Sequence, residues 1–210
     1  MTLPRNYNQF GVYETFAPTT LRRRSAVLLG TDMTWRAELP PVLSMELARV
    51  GAHLTLVAPD RSVYQPVARD ITTYGRPVHE VDGVIDGAGA MAAALAAYER
   101  LDLVVTLGPE LEPALLRAAC EAMAARDGGA VVALAAPERR GMLEDIVGGL
   151  SGLFHQRGVR VNGVVAPVVA AEEGGPSAQE VAWQVVFLAS QGGQALTGHV
   201  LQPTATTPRD

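Results

Sequence analysis

Lysine is absent from the 210-residue chain: all 17 basic side chains are arginines, set against 22 acidic ones. The resulting formal charge of −5 argues against a nucleic-acid binder, which would carry a basic face. The one basic cluster, Arg22-Arg23-Arg24, is short and reads as a solvated flank. Cysteine occurs once, at Cys120, so no internal disulfide can form. That residue lies in an alanine-rich helical stretch and reads as a small core side chain. The four histidines, His53, His79, His155 and His199, show no metal-ligand spacing, and no metal site is expected. No apolar run reaches the roughly 20 residues that span a bilayer. The N-terminus lacks the charged-then-apolar-then-small pattern of a secretory signal. The expectation is a soluble cytoplasmic chain with neither membrane nor nucleic-acid partner.

Apolar residues make up 48% of the chain, while aromatics are only 5%. That composition predicts a packed globule with closely spaced layers and small side chains at the contacts. One domain is expected over residues 26–203, with an N-terminal arm or tail at 1–25 and a C-terminal tail at 204–210. The first 25 residues are polar and irregular, yet they carry Tyr7, Phe10, Tyr13 and Phe16 at near-regular spacing. They read either as a floppy tail or as an arm whose aromatics dock on a neighbour.

Along the chain, short apolar runs alternate with helical patterns. Strands are expected at 26–30, 52–59, 78–82, 101–108, 130–136, 158–167 and within 197–202. Helices are expected at 38–50, 89–99, 113–126, 142–156 and 180–190. Leu143, Ile146, Val147, Leu150, Leu153 and Phe154 form the apolar stripe of the fourth of these. Ser177 and Glu180 form a capping box ahead of the fifth. Residues 60–77 carry no clear pattern. Strands that alternate with helices predict an α/β, Rossmann-like doubly wound fold. Its sheet is mostly parallel, because parallel neighbours need crossovers, with helices on both faces.

The last third carries three segments in order: RGVRVNGVVAP, SAQEVAWQVVFLAS and ALTGHVLQ. Together they resemble the end of a short-chain dehydrogenase/reductase, where G-[IV]-R-V-N-x-[IV]-x-P is followed by a helix ending F-L-A-S and a T-G strand. GAHLTLVAP and LDLVVTLGP resemble that family's second and fourth strands. The likeness covers roughly residues 25–202 and is strongest after Gly158.

The resemblance also sets requirements that this chain does not meet. The family uses a tyrosine and a lysine four residues apart, about one helix before the Asn of R-V-N. Counting back from Asn162 puts Pro137 at the tyrosine position and Gly141 at the lysine position. Neither carries a titratable side chain. The family's serine after the fifth strand has no counterpart either, since AVVALAA runs almost directly into PERRGM. Of the glycine-rich T-G-x-x-x-G-x-G only Gly30 remains, with Trp35 and Arg36 where small residues are needed to admit a pyrophosphate. N-N-A-G is replaced by Thr106-Leu107-Gly108-Pro109. Asp82 matches the adenine-contacting acid. No catalytic residue and no cofactor contact are therefore expected in this chain, with Gly30, Asp82, Thr106 and Asn162 as vestiges. Asp60 could bond a ribose or serve as a turn residue. Gly87, Gly89 and Ala92 match G-x-G-x-x-A, which reads more simply as a helix entry.

A pattern kept without its chemistry implies selection for shape. The reading that follows is a non-catalytic subunit of a heteromeric short-chain dehydrogenase/reductase. It would pair, as a heterotetramer, with a homologous active subunit that holds NAD or NADP and acts on a hydroxy or keto substrate, an acyl-CoA among the options. In the resembled family, the helix before R-V-N and the one preceding it pack against a second subunit, and the final helix makes another contact. The interface candidates are Leu143, Ile146, Gly148, Gly149, Gly152, Phe154, Trp183 and Phe187. Mid-helix glycines cost about 0.5–1 kcal/mol each relative to alanine. Three of them imply close approach, either of a partner helix or of the chain's own sheet. Two alternatives stay open. One is a stand-alone oxidoreductase with chemistry relocated to His155, Tyr98, Glu138, Arg139 and Arg140. The other is a protein that binds a small molecule in the vestigial cleft.

Overall fold

Five of the strand runs are rich in Val, Leu and Ala, and each is followed by enough chain to cross back over the sheet. The computed structural model pairs them as this dictates. It describes residues 17, 20–30, 37–60, 62, 64–83, 87–108, 111–167 and 175–204. The strands are β1 (Ser25–Gly30), β2 (His53–Ala58), β3 (Val78–Asp82), β4 (Leu103–Leu107), β5 (Gly129–Ala135), β6 (Val159–Val165) and β7 (Val200–Leu201). The helices are α1 (Leu39–Arg49), α2 (Gln65–Thr73), α3 (Gly87–Tyr98), α4 (Pro113–Ala124), α5 (Arg140–Phe154) and α6 (Ala178–Ala189). All seven strands are parallel, in the order β3-β2-β1-β4-β5-β6-β7. This is a Rossmann-like, doubly wound α/β fold.

Alternate residues of each strand serve opposite faces. Ala26 and Leu28 of β1 join a core with α1, α2 and α6, whereas Val27 and Leu29 join the core under α3, α4 and α5. All six residues of β1 are buried. Fully burying a leucine or valine side chain stabilises by about 1.5–3 kcal/mol, so the central strands anchor the molecule. The capping box at α6 is formed. Ser177 Oγ accepts from the Glu180 N–H at 3.1 Å, and Glu180 Oε2 accepts from the Ser177 N–H at 2.7 Å. Such a cap contributes about 1 kcal/mol.

Residues 60–77 hold a helix that the pattern did not reveal. In α2 only Val67, Ala68 and Ile71 are buried, too few to stand out. The strand expected within 197–202 shrinks to two residues; just before it the chain is tied to β6 by a mixture of main-chain and side-chain bonds. Among the described residues no helix is long and apolar enough to cross a membrane. The aromatic residues of the N-terminal arm, together with Trp35, Arg36 and Pro109, lie outside the described residues.

Candidate functional site

In a doubly wound sheet the binding crevice lies beyond the carboxyl ends of the strands, where the winding reverses. Here that point is between β1 and β4, whose ends are level: Gly30 pairs with Leu107. Gly30 is buried at the end of β1. Asp82 is exposed at the end of β3, paired with Ala58 of β2. Asp60, just past β2, is a turn residue. Its Oδ1 accepts from the Ser62 N–H at 2.8 Å, which holds its carboxyl below the usual range. Thr106 is half-buried one residue inside β4, between Leu29 and Ala133.

Among the described residues, the last positions of β4, β5 and β6 carry no acid–base side chain. β4 ends in Leu107-Gly108, β5 in Ala135-Ala136-Pro137 and β6 in Val165-Ala166-Pro167. Pro137 opens a short 3-10 turn, Pro137–Arg139, and α5 begins at Arg140. Four residues therefore separate β5 from α5. Gly141 is exposed in the first turn of α5, with nothing within 4 Å of the place a Cβ would occupy. Arg140 is engaged twice, donating to Glu144 Oε1 at 2.8 Å and to Gln202 Oε1 at 2.7 Å. Glu138 and Arg139 are exposed beside it.

The residues considered for relocated chemistry are not brought together. Each helix runs back antiparallel to the strands, so its end lies at the opposite rim of the sheet. His155 follows the end of α5 there. Tyr98 ends α3 at the same rim, where its hydroxyl donates to the Leu54 carbonyl at 2.9 Å and burial pushes its pKa up to about 12. Glu138, Arg139 and Arg140 sit at the crevice rim, a full helix away. Cys120 is buried, and burial likewise lifts its thiol to about 12, which leaves no thiolate nucleophile at neutral pH. The G-x-G-x-x-A match is a helix entry in α3. A Cβ on Gly87 would lie 3.2 Å from Leu115 Cγ, so this glycine lets α3 approach α4.

The motif GVRVNGVVAP proves to be a joint of the scaffold. Gly158 takes a positive φ of 78° to turn the chain into β6. The Arg160 guanidinium donates to the carbonyls of Leu188 (2.6 Å) and Gly193 (2.8 Å), capping the C-terminus of α6. Asn162 is fully buried in mid-β6 and spends its amide on the last segment. Its Nδ2 donates to the Leu196 carbonyl at 2.9 Å, and its Oδ1 accepts from the His199 N–H at 3.1 Å. It does not face the crevice. Gly163 admits α5, since a Cβ there would meet Leu143 Cδ2 at 2.8 Å. The T-G pair completes the joint. Thr197 Oγ1 accepts from the Val161 N–H at 3.1 Å and lies 2.9 Å from Ser151 Oγ, and the Gly198 N–H donates to the Val161 carbonyl at 2.7 Å. Arg160, Ser151 and Thr197 were not singled out from the sequence. The only signal for them was their place inside or across from the two motifs.

The interface candidates divide. Leu143 and Phe154 are buried in the core under α5, so they are corrected to core residues. Ile146 packs half-buried beside them. Gly148, Gly149 and Gly152 are exposed, with nothing within 4 Å of a Cβ. Their close approach to the chain's own sheet is thereby excluded. On the same outer side Met142 is 40% exposed and Leu153 is 61% exposed, which removes Leu153 from the expected core stripe. Trp183 and Phe187 are half-buried on α6.

The fold has solved counterparts. A short-chain dehydrogenase/reductase from Serratia marcescens superposes with a TM-score of 0.70 at 20% identity, covering 87% of this chain and 97% of its own. A short-chain dehydrogenase from Mycobacterium smegmatis gives 0.73 at 16% identity, over 91% and 95% of the two chains. A 7α-hydroxysteroid dehydrogenase complexed with NADH and 7-oxo glycochenodeoxycholic acid gives 0.73 at 13% identity, over 89% and 95%. No family model and no curated protein sequence matches the chain. The molecule thus has a doubly wound, Rossmann-like α/β fold. More narrowly, its fold is that of the short-chain dehydrogenases/reductases.

That fold implies a nicotinamide dinucleotide, and the described residues do not fit its reactive half. Pro137, Gly141 and the alanines that end β5 offer neither a proton donor nor an amine to hold a ribose. Asn162 is fully committed elsewhere. No reaction step through the dinucleotide follows for this chain.

Proposed function

We propose that this chain is a non-catalytic subunit that pairs, through the outer side of α5 with α4 beside it, with a catalytically competent relative of the same fold. The partner holds NAD or NADP and acts on a hydroxy or keto substrate. This chain stabilises or completes the partner's site. The observation that carries the reading is α5 itself. Its inner side is ordinary core, while its outer side presents Met142 and Leu153 around three open glycines. Exposed large apolar side chains around a shallow, small-residue strip fit a second helix laid against it. Among the described residues the ends of β4, β5 and β6 carry no tyrosine–lysine pair, which supports the same reading from the other side of the molecule.

The test is reconstitution. The chain alone is expected to oxidise or reduce no hydroxy or keto substrate with either dinucleotide. Mixed with a co-encoded relative that carries a complete tyrosine–lysine pair, it is expected to form a stable complex and raise the relative's activity. Turnover by the purified chain on its own sinks the proposal.

A further inference from the structure

The rim of the sheet opposite the crevice is basic. The loops entering the strands carry Arg22, Arg23 and Arg24 before β1, Arg76 before β3, Arg100 before β4, Arg126 before β5 and Arg157 before β6. Against these seven arginines stand Glu99, Asp102 and Asp127, so the loops carry a net +4 in a chain whose total is −5. Helix ends account for part of this. Arg126 and Arg157 closely follow α4 and α5, whose last carbonyls carry partial negative charge. Arg23, Arg76 and Arg100 converge instead on His53. His53 opens β2 opposite Ser25 of β1, and its N–H donates to the Arg24 carbonyl at 2.8 Å. On its other side the Leu54 N–H donates to the Pro77 carbonyl at 3.1 Å, which sets Arg76 beside it. The Asp102 N–H donates to the Ser25 carbonyl at 3.0 Å, which brings in the loop of Arg100. The His53 ring is half-buried against Tyr98, with ring centroids 5.4 Å apart. Burial, and then the Arg76, Arg100 and Arg23 guanidiniums, hold its pKa below the usual value.

Three like charges thus press on one neutral imidazole, and the carboxylate at hand does not settle them. Asp102 is taken up by Arg24 and Arg100. The side chains of Arg23 and Arg76 have no hydrogen-bond or ion-pair partner among the described residues. Arg23 also holds a left-handed backbone, with φ of 59°, as does Glu99 at the same rim. A bulky residue keeps that conformation only where its surroundings impose it. Beside His53 on the same face of the sheet, Ser25 Oγ is buried with no hydrogen-bond partner. Guanidiniums gathered without a counter-charge repel one another, and an anion among them turns that repulsion into attraction. We propose that this rim binds an oligophosphate, an anion with two or more phosphate groups in line, held by Arg23, Arg76 and Arg100 with His53 as a neutral donor. The arginine fork matches phosphate oxygens, and each phosphate brings more charge than a carboxylate. The spacing sets the length. Arg76 and Arg100 precede β3 and β4, which lie three strand positions apart, or about 14 Å. That is too wide for one phosphate and suits a short phosphate chain gripped from both ends. The run Arg22-Arg23-Arg24, read from the sequence as a solvated flank, then has a ligand to serve.

Titration calorimetry of the full chain with tripolyphosphate, pyrophosphate, orthophosphate and citrate, at about 0.15 M salt, tests the site. Tripolyphosphate is expected to bind at least tenfold more tightly than orthophosphate, and more tightly than citrate. ADP beside pyrophosphate separates the two sources of such a chain: equal binding assigns the phosphates alone, and tighter binding of ADP assigns a nucleotide. Arg23→Gly and Arg76→Ala are each expected to weaken tripolyphosphate about tenfold or more. Neither removes a contact of the fold, and glycine suits the positive φ at position 23. A thermal melt checks that both variants remain folded. In the native chain, saturation with tripolyphosphate should move the NMR titration of the His53 ring to higher pH, because the anion offsets the guanidiniums; this readout carries the test if a variant fails to fold. Absence of binding, binding indifferent to both substitutions, citrate bound as tightly, or an unmoved His53 titration each overturns the proposal. The site draws on none of the outer residues of α5, so it and the proposed pairing fail independently.

Discussion

Asn162 shows how a single side chain can hold a motif in place without chemistry. It ties Leu196 and His199 to β6 by both ends of one amide, in a position with no access to water. Asn162→Leu takes the partner from the Leu196 carbonyl and the His199 N–H, both in part-buried bonds, and each such loss costs about 1–3 kcal/mol. We expect the substitution to destabilise the isolated chain by about 2–4 kcal/mol, measured as a shift of the urea midpoint at unchanged slope. The motif itself could be read from the sequence, but the partners of Arg160 and Asn162 could not. They lie 28 to 37 positions away and are main-chain groups, which leave no mark in the residue types.

In α5 the apolar spacing foretold a helix, and Leu143, Val147, Leu150 and Phe154 are buried, Leu143 and Phe154 in the core rather than at the interface expected of them. Leu153 followed the same period and yet points outward, because a stripe wide enough to include it overruns the sheet-facing arc. The three glycines were ambiguous from sequence alone, since close approach can come from either side, and only their open surroundings decide it. This sets up a test with opposite signs. Gly148→Ala, Gly149→Ala and Gly152→Ala should each stabilise the isolated chain by about 0.5–1 kcal/mol, because nothing obstructs the added methyl groups. The same triple variant should bind the proposed partner at least tenfold more weakly. Thermal melts and titration calorimetry read the two effects separately. Helix α2 escaped notice for a simpler reason, its apolar face being only three side chains wide.

For the molecule as a whole, alternation of strands and helices was enough to specify the doubly wound sheet, because parallel neighbours permit few other arrangements. What ties the far rim of that sheet together is a charge cluster no motif announced. Asp102 accepts from Arg24 at 2.8 Å, from the Ser25 N–H at 2.9 Å and twice from Arg100 at 2.5 Å. Burial alone would raise the Asp102 pKa, but the Arg100 and Arg24 guanidiniums and the Ser25 N–H together outweigh it and hold the carboxyl below its ordinary value. A group depressed in the folded state contributes stability above its unfolded pKa, near 3.9, and that contribution is lost as pH falls through the lower folded value. Melting temperature should therefore fall steeply below about pH 4 in the native chain. In Asp102→Asn the melting temperature should start lower at neutral pH and decline less on acidification. An unaltered acid limb in the variant would contradict this assignment.

The four-residue step from Ala135 to Arg140 reaches beyond the present state of the crevice. A missing side chain can return through one codon change, but a missing length of main chain cannot. Placing a tyrosine at position 137 and a lysine at 141 would put them on a turn and a helix start with no backbone behind them to aim either at a bound ligand. On the proposed reading, changes at positions 137 and 141 alone bring no turnover, and useful variation is left to the outer side of α5.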